Sequence, residues 1–223
     1  MDGNLCWKYH ISHIASKISS HIGIIARLRH FTPFITLLKT YRSLISPFIF
    51  YGLTAWGQAA KTNLNKISLL QKLVVRLMNF AKFSVHAVQL FISTNILPLT
   101  LLYFKNCSIL MHDVYNKVVP SDISDLFTPT KDVHHYNTRS STAGNFYINY
   151  SRLNHYKNSF SIMGAKIWNS IPNVMRQLPK YRFKKIKITE SSFQIFLKQD
   201  SYLDIDTLIN EMKWKEFKLF FCS

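Results

Sequence analysis

The chain has 223 residues, 48% hydrophobic and 14% aromatic, a composition that excludes wholesale disorder and suits one or two globular domains burying roughly 70% of their unfolded surface. Lys and Arg number 28 against 11 Asp and Glu, for a net charge of +17 and an isoelectric point near 9.9; such a surplus calls for a polyanion or a surrounding acidic protein. Three scattered cysteines, Cys6, Cys107 and Cys222, exclude a disulfide framework and fit free thiols in a reducing compartment.

No basic stretch followed by an apolar core opens the chain, so the expected location is intracellular, in nucleus or cytoplasm. From Ile11 to Leu28 the apolar residues Ile11, Ile14, Ile18, Ile22 and Ile25 recur at steps of three and four, which predicts a long helix with His13, Lys17, Ser20 and Arg27 opposite. Thr32 and Pro33 read as the cap and first turn of a second helix through Leu37, Leu38, Tyr41, Leu44 and Ile45. Ser46 and Pro47 repeat that start signal, predicting a kink or a new helix ending near Gly57. Leu64, Ile67, Leu70, Leu73, Val74, Leu77 and Met78 mark the most regular helix, flanked by Lys66, Lys72 and Arg76. Asn95 to Pro98 breaks the next apolar region, and a further helix from Leu99 runs toward Val118 until Pro120 stops it.

Beyond Pro120 the texture turns to Ser, Thr, Asp, Asn and Pro, and Thr128 to Asn145 reads as a linker or ordered arm. Phe146 to Tyr150 alternates aromatic and polar residues like a short strand, and Ser161 to Ile171 reads as a helix ended by Pro172. The expected fold is therefore mainly α: a helical domain over residues 1–119, a linker over 120–145, and a smaller, looser α/β region over 146–223. Charge follows this division, with 13 Lys/Arg against Asp2 and Asp113 in the first 120 residues (+11) and 15 against nine in the rest (+6).

Metal-dependent nucleotidyl transfer needs carboxylates close enough to hold two cations, and the chain has no adjacent aspartate pair. Asp122 with Asp125 and Asp204 with Asp206 read instead as helix-start residues. Cys6, His10 and His13 share a helical turn, but no second pair completes a tetrahedral zinc set. With no glycine-rich phosphate loop and no nucleophile elbow, no catalytic residue, metal or cofactor is assigned. Residues 43–60 and 83–104 lack charge and are long enough to cross a membrane, yet Pro47, Gln58, His86, Gln89 and Asn95 favour buried core helices over spanning ones.

Several ordered motifs together resemble the C-terminal part of reverse transcriptases from non-LTR retrotransposons, of the LINE type and similar to the CR1 and jockey groups. They are Asp2, Leu5, Trp7, Lys8 and His10; Ile22-Gly23-Ile24-Ile25 with Arg27-Leu28-Arg29; Tyr41 to Pro47; Tyr51-Gly52-Leu53 with Trp56-Gly57; and Leu70-Gln71-Lys72 with Arg76. Two more, His135 to Arg139 and Gly164 to Pro172, look like landmarks of the family's post-thumb region, so the likeness spans roughly residues 2 to 180. The resemblance implies a thumb-like helical bundle that grips a template-primer duplex, with the catalytic aspartates in a palm that precedes it. By this likeness the chain is a non-catalytic, nucleic-acid-binding fragment of an RNA-directed DNA polymerase, with RNA, DNA or RNA–DNA hybrid as partner and a reverse transcriptase palm as a possible second one.

On that reading Arg27, Arg29, His30, Arg42, Lys72 and Arg76 form a phosphate-facing set, with Arg139 and Lys166 as a second group. The local alternative gives Arg27 and Arg29 to a helix dipole and Lys72 and Arg76 to a solvated face. Tyr51, Trp56 and Trp168 are either base-stacking aromatics or, more often at such spacing, core. Two other classes remain open: an orphaned fragment with no activity of its own, and a multi-pass membrane protein.

Overall fold

A computed structural model describes residues 7–133, 136, 138, 140 and 143–184. Among these the protein is mainly helical, in two compact units whose described parts cover residues 7–103 and 104–184.

The first unit is built on α1 (Lys8–Leu28) and α5 (Lys61–Met78). The isoleucine stripe of α1, from Ile11 to Ile25, is buried, as are Leu64, Ile67, Val74, Val75 and Met78 of α5, so each helix hides one apolar face. The two helices run in the same direction. His10 packs edge-on to Trp56, just before α5, while Arg29 reaches Phe80, just after it.

Between them come α2 (Phe34–Leu44), α3 (Ser46–Phe50) and α4 (Leu53–Trp56). Thr32 does not cap α2. Its hydroxyl donates back to the Leu28 carbonyl at 2.9 Å, closing the end of α1, while Pro33 occupies the cap position of α2. Gly52 takes a left-handed conformation at the turn into α4, where the Trp56 indole N–H donates to the Tyr51 carbonyl. Gln71 is a buried polar tie: its amide donates to the Tyr41 hydroxyl and to the Leu97 carbonyl, joining α5 to α2 and to the segment after α6 (Ala87–Thr94). Burial pushes the Tyr41 phenol above its ordinary pKa, partly offset by hydrogen bonds from Gln71 and Ser46.

The division between units falls inside α7 (Leu99–Tyr115), between Tyr103 and Phe104. The second unit adds the short helices α8 (Ser121–Ser124), α9 (Thr130–Val133) and α10 (Asn154–Lys157), the longer α11 (Phe160–Ser170), then α12 (Asn173–Arg176) and α13 (Lys180–Lys184). Its core gathers Met111, Val114, Phe127, Phe146, Ala165, Trp168, Ile171, Met175 and Phe183.

The expected strand at Phe146 to Tyr150 is reduced to one antiparallel bridge between Pro129 and Phe146. Tyr147 to Tyr150 are all exposed, so the alternation has no face to bury. The Asn169 side chain takes the place of a second strand, accepting from the Phe146 N–H at 2.9 Å and donating to its carbonyl at 2.8 Å. Among the described residues no single helix is long and apolar enough to cross a membrane. Only α6 and α7 together meet that test, and they bend by 44°.

Candidate nucleic-acid interface

Residues 7–103 contain eleven Lys and Arg, from Lys8 to Lys82, and no Asp or Glu. Eight of the eleven are exposed, and Arg29, Lys72 and Arg76 are half-buried. Helix dipoles account for few of them. Arg27, Arg42 and Arg76 lie in the last turns of α1, α2 and α5, where a cation is favoured. Lys8 and Lys61, however, are the first residues of α1 and α5, at the positive pole, with no acid in either first turn.

Of the expected phosphate-facing set, the structure brings three members together where α1 and α5 end. The Arg29 Nε donates to the His30 Nε2 at 3.2 Å, and its guanidinium lies 5.1 Å from the centre of the Phe80 ring. His30 meets the same ring edge-on at 5.9 Å. Arg76 sits 5.8 Å from the Phe83 ring and donates from Nη2 to the Val85 carbonyl at 3.3 Å; its Nε is buried with no hydrogen-bond partner. Lys72 lies one turn before Arg76 on α5, so the two share a face.

The remaining members stand apart. Arg27 is exposed but two residues from Arg29, too few for the side chains to share a helix face. Arg42 is exposed near the end of α2, eight residues or about 12 Å along from Phe34. Lys166 belongs to the second unit, half-buried on α11, and Arg139 lies outside the described residues.

Three aromatics that the helical pattern does not single out face solvent beside these cations: Phe31, Phe80 and Phe83, at 86, 59 and 80% exposure. The signal was present in composition rather than period. Each sits in a short run of basic and aromatic residues, Arg29-His30-Phe31 and Phe80-Ala81-Lys82-Phe83, beyond a helix end. Trp56 and Trp168 are instead core residues, while Tyr51 is exposed.

In the second unit the motif from Gly164 to Pro172 is a packing device. A Cβ on Gly164 would come within 2.9 Å of the Met111 sulfur, so the glycine permits α11 to lie close to α7. The Trp168 indole N–H donates to the Gly144 carbonyl at 3.1 Å. Arg176 is buried and reaches the carbonyls of Ile171, Ala143 and Asn169 and the Asn145 amide oxygen at 2.7 to 3.1 Å, with its guanidinium 5.3 Å from the Trp168 ring. Burial lowers its pKa, and carbonyl dipoles stand in for a counter-ion. A cavity of about 670 Å³ beside it is lined by Tyr115, Lys117, Lys131, Asp125, Phe127 and Phe146 among others.

Among the described residues no three His, Cys, Asp or Glu side chains gather in a metal-binding arrangement. His10 packs between Trp7 and Trp56; burial first, and His13 second, hold its pKa below the ordinary histidine value. Asp122 and Asp125 are both exposed on and just after α8; Cys6, Asp204 and Asp206 lie outside the described residues. Comparison with protein-family models, with characterised proteins and with solved structures returns no match to this chain.

Proposed function

We propose that the protein is a non-catalytic nucleic-acid-binding part of a retroelement reverse transcriptase, gripping the phosphate backbone with the cationic helices of its first unit while a palm supplies the metal-binding aspartates. The observation that carries the binding reading is the eleven cations of residues 7–103 with no acid among them, four of which, Arg29, Lys72, Arg76 and Lys82, lie with His30 at or within a turn or so of the shared end of α1 and α5. A surface so composed gains affinity by releasing counterions from a polyanion. The family part rests on the order and spacing of the motifs from Trp7 to Pro172.

Phosphate contacts position a duplex without reading its sequence, so RNA–DNA hybrid, RNA duplex and DNA duplex should all bind. Fluorescence anisotropy with the full chain and a labelled 20-base-pair hybrid tests this. The expected result is a Kd of roughly micromolar order at low salt that is lost as salt is raised. Aggregation, or no binding in dilute buffer, would support an inert fragment instead.

A further inference from the structure

We infer that the corner formed by Arg29, His30, Arg76, Phe80, Lys82 and Phe83 is a stacking platform for unpaired bases, so that the preferred ligand is single-stranded nucleic acid or a duplex with a single-stranded extension. This inference rests on the phosphate-binding reading above and adds the class of nucleic acid held at one part of that surface.

Four observations converge there. The rings of Phe80 and Phe83 are largely exposed and contribute to neither core, so water-facing apolar area is maintained at this point. Each ring has a guanidinium near it, Arg29 at 5.1 Å from Phe80 and Arg76 at 5.8 Å from Phe83, an arrangement in which a cation steadies a ring whose exposed area remains available. Phe80 also holds a left-handed backbone, with φ +52°, at the residue that closes α5: its N–H reaches the Leu77 carbonyl and the Ala81 N–H reaches the Arg76 carbonyl. Glycine is the ordinary occupant of that position, so the bulky aromatic there stands against a backbone preference. Finally, residues 7–103 hold eleven cations and no carboxylate, a balance that suits an anionic ligand.

An anion that also satisfies exposed aromatic rings must carry flat apolar surface close to its charge. In a duplex the base faces are stacked on one another, and only the two terminal pairs offer one to a side chain. In a single strand every base presents a π-face beside its own phosphate, which matches rings interleaved with Arg29, Arg76 and the exposed Lys82.

The test compares the full chain with a Phe80→Leu/Phe83→Leu double variant, which keeps apolar side chains but removes both rings. Probes are a 12-nucleotide single strand carrying 2-aminopurine, a blunt duplex of the same length, and vesicles of phosphatidylserine and phosphatidylcholine. The inference predicts a change in 2-aminopurine fluorescence on binding the parent chain, as the base leaves its neighbours for a ring, that the variant does not produce. It also predicts about a tenfold loss of single-strand affinity in the variant, as expected for losing stacking contacts, with a clearly smaller loss on the duplex. Equal affinities of parent and variant for the single strand, or equal losses on both probes, overturn the platform while leaving phosphate binding intact. Binding to vesicles with none to either oligonucleotide overturns both readings in favour of a membrane surface, and binding to nothing overturns both outright.

Discussion

Lys117, like Phe80, closes a helix with a left-handed backbone, at φ +56°, where its N–H and that of Val118 reach the Val114 and Asp113 carbonyls. An L side chain in this region costs about 1 kcal/mol relative to glycine, and Lys117 is exposed. Lys117→Gly should therefore raise the stability of the second unit by about 1 kcal/mol, read as a higher denaturant midpoint; a lower midpoint would show that the side chain contributes something unseen. Arg176 lies at the other extreme. Replacing it with Met leaves three carbonyls and the Asn145 amide short of a donor, and should destabilise by about 3 kcal/mol, with Arg176→Lys failing to restore stability because one ammonium cannot span the fork. In the sequence Arg176 is one more cation among many, because its partners at Ala143, Asn145 and Asn169 are brought to it only by the fold.

Elements with a strong period were legible and those depending on a partner were not. The stripe from Ile11 to Ile25 and the one from Leu64 to Met78 specify α1 and α5 because burying one face needs only apolar residues every third or fourth position. The alternation from Phe146 to Tyr150 had the period of a strand but found cover only at Phe146, and the Asn169 side chain took the remaining backbone bonds. Of the motif glycines, Gly57 and Gly164 mark close approaches, Gly52 serves a left-handed turn, and Gly23 has open space beside it. A Cβ on Gly57 would collide with the Tyr103 ring and crowd the Leu53 carbonyl, so Gly57→Ala should cost about 2 kcal/mol through overpacking. Thermal unfolding of that variant checks it, and an unchanged melting temperature would mean that Tyr103 moves aside freely.

At the scale of the molecule, the charge imbalance was readable at once and its arrangement was not. Composition pointed to a polyanion partner, but it took the shared direction of α1 and α5 to bring Arg29 and His30 beside Phe80, and to leave Arg27 and Arg42 outside that corner. Lys8 and Lys17 lie back along α1, Lys8 about 30 Å from Arg29 at 1.5 Å per residue, and supply a charge-matched control. The most direct measurement is the slope of log K against log salt for a single-stranded oligonucleotide bound to the full chain, to Arg29→Ala/Lys82→Ala and to Lys8→Ala/Lys17→Ala. Loss of two phosphate contacts should flatten the slope by about 1.4 in the corner variant and by clearly less in the control, whose lysines lie away from the corner. Identical slopes in all three proteins would contradict a grip centred on the joined ends of α1 and α5.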